Sequence, residues 1–283
     1  MHVLVAGAGW LGSAVARALA DRGDRVTAVR RDPARAAALA APGIEPLALD
    51  LTAPGAAGRL PRDADAVVAC QSASGDGADA YRRAYLDVND LLLGALRDAG
   101  RPAAFLYTGS TGVFGQRDGG VVDEETPPAP SGPTGEVLVQ AERLVAAAAR
   151  PGLRTVVLRL SGIYGPGRNW PVERVRSGHI ALGPADGTWL NLLHLEDAVA
   201  AVLAGLERGE PGSILHATDA EPVRRRDLAL WVSERLGIPP PRLPADARPS
   251  TLPDRRVVAE RSRAALGLVL RYPSFREGTG LAG

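Results

Sequence analysis

The segment Val5-Ala6-Gly7-Ala8-Gly9-Trp10-Leu11-Gly12 sets three glycines at the G-x-G-x-x-G spacing. Before it, residues 2–6 form a short apolar run rich in Val and Leu. After it, Leu11, Ala14, Val15, Ala18 and Leu19 recur with helical period. The pattern predicts strand, tight turn, helix. In that setting Gly7 permits the turn, Gly9 lets the backbone approach a diphosphate, and Gly12 lets helix and strand pack closely, while Trp10 and Leu11 flank the phosphates at the helix N-terminus. A dinucleotide site is the expected consequence.

The rhythm continues outward along the chain. Residues 25–29, 44–49, 66–70, 103–108, 154–160 and 213–217 read as strands, and 33–40, 81–99, 135–149 and 195–206 as helices. This alternation predicts an α/β fold, a doubly wound parallel Rossmann sheet of about seven strands. Two stretches break it: 166–188, rich in Gly and Pro, and the part beyond Leu236, which opens with Pro239-Pro240-Pro241. They predict a smaller, discontinuous C-terminal substrate lobe made of 166–188 and 221–283, lying over the strand ends. Residues 1–165, rejoined by 189–220, form the nucleotide-binding domain.

Composition narrows the function. A chain of 283 residues, 46% hydrophobic, can bury a large core, and 33 basic against 32 acidic residues give no reason to expect nucleic acid as a partner. Cys70 is the single cysteine, and there is neither a signal-peptide pattern nor an apolar run of membrane-spanning length; a cytoplasmic protein is expected, with no membrane partner. His2, His179, His194 and His216 are scattered without ligand spacing, so no metal is expected. Ser110 lies in Gly-Ser-Thr-Gly, which is not a serine-hydrolase elbow. The chain contains no lysine; every one of its 33 basic residues is arginine.

After the second strand comes Val29-Arg30-Arg31-Asp32. Two guanidiniums suit a 2′-phosphate, which favours NADP over NAD, although Asp32 is placed to act as a ribose acid if the strand runs two residues further. Asp50 and Leu51, after the third strand, are expected beside the adenine.

Four motifs in order now carry a family resemblance: Gly7-Ala8-Gly9-Trp10-Leu11-Gly12, Gly109-Ser110-Thr111-Gly112-Val113-Phe114-Gly115, Leu158-Arg159-Leu160-Ser161-Gly162-Ile163-Tyr164-Gly165-Pro166-Gly167, and Asn191-Leu192-Leu193-His194-Leu195-Glu196-Asp197-Ala198. The chain resembles the extended and atypical short-chain dehydrogenase/reductases, a group that includes nucleotide-sugar epimerases and dehydratases. The resemblance implies hydride transfer to or from a small carbonyl, imine or sugar-like substrate whose oxygen is held by Ser110 or Thr111. It also implies a Tyr and, four residues later on one helical face, a Lys that lowers the phenol pKa. Here those places fall on Thr134 and Leu138, and with no lysine anywhere the pair is absent.

Tyr107, Tyr164 and His194 are the candidates to take over proton transfer. Alternatively, an iminium-like substrate needs orientation more than a proton donor. A third reading is a non-catalytic NADP-binding regulator. Glu124, or its neighbour Glu125, is a candidate base at the substrate mouth; Arg168, Asn169 and Trp170 are candidate substrate contacts, through charge pairing and ring stacking. By analogy with the family, the long helices at 81–99 and 135–149 suit a homodimer.

Overall fold

The computed structural model describes residues 1–98, 103–183, 186–244 and 253–281. The strands are β1 (His2–Ala6), β2 (Arg25–Arg30), β3 (Ile44–Ala48), β4 (Ala66–Ala69), β5 (Ala103–Ser110), β6 (Val121–Val122), β7 (Leu153–Leu160), β8 (Gly162–Tyr164), β9 (Trp189–Leu190), β10 (Leu192–His194), β11 (Ser213–Ala217), β12 (Val223–Arg224) and β13 (Arg256–Val257). The helices are α1 (Trp10–Asp21), α2 (Pro33–Ala37), α3 (Ala78–Tyr81), α4 (Val88–Asp98), α5 (Pro133–Ala147), α6 (Trp170–Arg176), α7 (Leu195–Arg208), α8 (Arg225–Leu236), α9 (Glu260–Leu266) and α10 (Phe275–Gly278).

Seven strands form one parallel sheet in the order β11-β7-β5-β4-β1-β2-β3. This is the Rossmann sheet expected from the sequence. Because helices cover both faces, β1 and β4 are buried at every position and, after His2, are apolar throughout. The pleat then sorts them: Val3 and Val5 join Val15 and Leu19 of α1 and Ala201 and Val202 of α7, while Leu4 and Ala6 face Leu92 and Leu96 of α4 and Ala141 and Val145 of α5. The chain runs outward from β1 to β3 and returns on the other side with β4. The strand order therefore reverses at β1, and a crevice opens beyond the carboxyl ends of β1 and β4.

A smaller lobe has its own core of Tyr164, Val172, Val175, Ile180, Leu192, Leu228, Val232 and Phe275. It is stitched by the parallel pair β8–β10 and the antiparallel pair β9–β12. The last strand returns to the body, where β13 pairs in parallel with β6 and Leu266 of α9 enters the main core. Arg154 fastens the far end of α7 by donating to the carbonyls of Gly205, Leu206 and Gly209, the last at 3.0 Å. No helix among the described residues is long and apolar enough to cross a membrane.

Two elements differ from their sequence patterns. The helix expected from 33 to 40 ends at Ala37, and Asp32 caps its start by accepting from the Arg35 N–H at 2.8 Å. The helix expected over 81–99 begins three residues earlier, as α3, and passes through a π-helical turn at Arg82–Asp87 before continuing as α4. Ala99 lies outside the described residues. A π turn inside a helix is a common companion of functional sites, and this one borders the crevice.

Candidate functional site

Two chambers meet at the crevice. The first, about 570 Å³, is lined by Gly7, Gly9, Arg30, Arg31, Asp50 and Leu51 among others. The second, about 420 Å³, includes Gly9, Trp10, Leu11, Gly12, Tyr107, Ser110, Arg168 and Trp170. Gly9, Cys70, Gln71 and Ser72 belong to both, so the two form one trench across the strand ends.

The glycine turn at its centre is built by crowding. Gly7 has φ +85°, and a Cβ there would lie 2.4 Å from the Gln71 Cα. A Cβ on Gly12 would lie 2.4 Å from the Gly7 carbonyl oxygen. Gly9 differs, since a Cβ would meet nothing closer than 3.9 Å and would project into open space. The first turn of α1 has no side-chain cap and no acidic residue, and its first backbone bond, Ser13 N–H to Gly9 O, leaves the preceding N–H groups free of helical partners. This cradle fits a diphosphate. At the far end of the first chamber, Thr52 donates to Asp50 Oδ1 from its N–H (2.9 Å) and its hydroxyl (2.7 Å), and these bonds hold the carboxyl below its ordinary range.

In the second chamber, Ser110 Oγ accepts from the Gly112 N–H at 3.0 Å, which leaves its own proton free to be donated into the cleft. Tyr107 is completely buried with its hydroxyl unpartnered; burial, then Tyr85 and Glu142, push that phenol well above its ordinary range. Arg168 lies 5.5 Å over the Trp10 ring, and Trp10 itself donates to the Pro166 carbonyl at 3.2 Å. Trp170 donates to Ile163 O at 2.9 Å, which fixes its indole against the wall. Leu138 of α5, at the place where the resemblance leads one to look for a lysine, lines this chamber as an apolar surface.

Other candidates are used elsewhere in the fold. Tyr164 is fully buried in the lobe core, its hydroxyl 3.5 Å from Ser274 O, and burial followed by nearby carboxylates raises its phenol. His194 caps α7 by accepting from the Glu196 N–H, stacks at 3.7 Å on Tyr272, and is lowered by burial. Thr111 is buried, with Oγ1 3.4 Å from Leu160 O; its carbonyl accepts from Arg255 at 2.8 Å. Glu124 accepts from the N–H and hydroxyl of Ser262, Glu125 pairs with Arg261, and Asn169 donates to Thr279 O at 2.8 Å. None of these five candidates, nor Glu125, is among the residues lining the trench.

Sequence reasoning missed Gln71, Ser72, Tyr81, Tyr85 and Ser161, all of which line the second chamber. A signal existed for the first two, because they follow β4 at the carboxyl edge where such sheets bind ligands. The tyrosines are spaced i, i+4 on a helix, a pattern that does not by itself distinguish a cleft wall from a core face. Among the described residues no group of three or more His, Cys, Asp or Glu is placed to hold a metal ion.

Asp219 lies behind this wall, next to Tyr164. It is 2% exposed, and burial, then the charge of Glu221, raises its carboxyl far above the ordinary range against the pull of the Glu221 backbone N–H. A carboxyl raised in the folded state favours folding at low pH and loses that contribution as pH rises from the ordinary range near 4 toward the folded value. Asp219→Asn should therefore be more stable than the parent at neutral pH, with the difference closing in acid. Urea titrations at several pH values will show this.

Sheet order and glycine turn define a Rossmann-type α/β protein. The chain belongs to the NAD dependent epimerase/dehydratase family, whose model matches residues 3–217. It is 31% identical over 245 residues to Protein YeeZ of Escherichia coli K12, covering 84% of this chain and 85% of that one. Among solved structures it is similar to a functionally unknown conserved protein from Silicibacter pomeroyi, at 28% identity and TM-score 0.75 over 98% of this chain and 96% of that one. It is also similar to MoeE5 in complex with UDP-glucose and NAD, at 24% identity and TM-score 0.82 over 99% and 96% of the two chains.

These likenesses correct the coenzyme. MoeE5, the UDP-glucuronic acid 4-epimerase from Bacillus cereus and the dTDP-glucose 4,6-dehydratase from Streptomyces venezuelae, all similar to this chain, are bound to NAD, which overturns the preference for NADP drawn from Arg30 and Arg31. The structure supplies a physical reason. Arg30 donates to Ala8 O at 3.1 Å and Arg31 to Ser74 Oγ at 3.3 Å, so both guanidiniums are drawn into the wall of the first chamber.

Proposed function

We propose that this protein is an NAD-dependent oxidoreductase or epimerase acting on a small carbonyl, imine or sugar-like substrate. The observation that carries the reading is the continuous trench, with its uncapped helix start and open Gly9 face at the midpoint. In this reading Gly7, Gly9 and Gly12 shape the diphosphate cradle, the N–H groups of Trp10 and Leu11 face the anion, and Asp50 and Leu51 border the adenosine. NAD, when bound, supplies the hydride acceptor or donor. Ser110 holds a substrate oxygen by a hydrogen bond from its free hydroxyl, Leu138 keeps water from the reacting face, and Arg168 and Trp170 orient the rest of the substrate. The domain boundaries proposed with it are 1–165 with 189–220, and 166–188 with 221–283.

A second reading, a non-catalytic NAD-binding regulator, is favoured by Thr134 and Leu138 standing where the resemblance leads one to look for the proton-transfer pair. Calorimetry with NAD and NADH, followed by assays on carbonyls, imines and nucleotide sugars, separates the two. Binding with turnover supports the enzyme, binding without turnover supports the regulator, and absence of binding removes both.

A further inference from the structure

Resting on the reading that a nicotinamide coenzyme occupies the trench, we propose that Tyr81 is the proton donor to the substrate oxygen, and that the protein works as a carbonyl reductase rather than an epimerase.

Three phenols line the second chamber: Tyr81, Tyr85 and Tyr107. Tyr107 is sealed from solvent beside the Glu142 carboxylate, where releasing a proton creates a buried anion next to another. Tyr85 is partly exposed too, but its oxygen is anchored by the Ala73 N–H at 3.3 Å, and desolvation raises its phenol. Tyr81 differs from both. Partly exposed like Tyr85, it has a hydroxyl with no hydrogen-bond partner among the described residues.

Its ring is nonetheless held. It meets Tyr85 edge-on at 5.2 Å and packs against the cluster containing Val113, Phe114, Leu138 and Val139. A lysine at 138 would bring an ammonium to that surface; leucine keeps it apolar and able to seat an aromatic ring. Tyr81 also stands where α3 passes into the π-helical turn, whose widened backbone carries both tyrosines along the chamber wall.

The chemistry then has a direction. The reduced coenzyme, when bound, would supply hydride to the carbonyl carbon and be oxidised in turn. The π pair of the C=O bond moves to oxygen, which takes the proton from Tyr81 Oη; water at the open mouth returns a proton to the phenolate. Donation of this kind starts from the neutral phenol and needs no neighbouring ammonium, whereas an epimerase that opens by taking a proton from an alcohol starts from the phenolate, which calls for a cation beside it. Among the described residues lining it, Arg168 is the only cation, and it lies over Trp10.

The test measures NADH binding by fluorescence titration and, separately, NADH oxidation with glyceraldehyde, benzaldehyde and diacetyl, together with conversion of UDP-glucose in the presence of NAD. We expect reduction of at least one carbonyl and no conversion of UDP-glucose. Tyr81→Phe, which keeps the ring, should lower kcat by about 100-fold or more while leaving NADH affinity and substrate KM unchanged. Tyr272→Phe, outside the trench, should leave kcat as it was. Full turnover in Tyr81→Phe, conversion of UDP-glucose, or a protein that binds NADH but reduces none of the three carbonyls overturns the proposal. Failure of NADH to bind overturns the parent reading instead.

Discussion

Gly9→Ala is expected to fold as the parent does and yet bind NAD at least about tenfold more weakly, since a single methyl placed in the cradle displaces a contact of that size. The new Cβ meets no protein atom closer than 3.9 Å, so nothing in the fold resists it. It fills the space that the coenzyme reading gives to the diphosphate. Gly7→Ala is the companion with the opposite signature: its Cβ falls 2.4 Å from the Gln71 Cα and 2.5 Å from its N, on a backbone at φ +85°. Left-handed strain and overpacking together should cost about 2–5 kcal/mol, and binding should fail because the turn is lost. Thermal melts read alongside calorimetry distinguish the two variants. Unchanged NAD affinity in Gly9→Ala would mean that the coenzyme lies elsewhere.

The second large effect is expected below the cleft. Glu142 and Arg159 are 1% and 3% exposed, and the guanidinium grips the carboxylate through Nε at 3.0 and 3.1 Å and Nη2 at 2.8 Å. Arg159 also reaches His216 at 3.3 Å and lies 5.0 Å over the Phe114 ring. Glu142→Ala leaves a buried cation without its counter-ion, which should cost about 3–5 kcal/mol. Replacing both partners, Glu142→Leu with Arg159→Met, should recover most of that loss, because no charge is then stranded. Urea unfolding of the two variants checks this. The pair also bears on the site, since Glu142 Oε1 lies beside Gly109, one residue before Ser110.

Much of the fold was legible because its signals are local and repeated. The β1 strand, the three glycines and the helical period of α1 each predict the next element, and the parallel sheet follows from their alternation. That Gly7, Gly9, Asp50 and Leu51 lie together was legible for the same reason, and they line the first chamber. The second chamber was less so, because its walls come from side chains whose direction depends on packing. Tyr164 and His194 have the chemistry of a proton donor but turn into the lobe core, and Glu124 is spent on Ser262. Tyr81 and Tyr85 read as ordinary helix residues until the π-helical turn sets them along the cleft. The arginines after β2 misled in a similar way, since the carbonyl of Ala8 and the hydroxyl of Ser74, which draw them in, are distant in sequence.

Pairing of β13 with β6, and the Arg255 bond to the Thr111 carbonyl, have a consequence for biosynthesis. A ribosome delivers the chain from its amino end, so every strand of the large sheet has been synthesised once residue 217 is made, while Arg255 is still to come. A nascent polypeptide halted between these two points has every strand of the large sheet but lacks the β13 pairing and the Arg255 contact that brace β6 and Thr111 beside it.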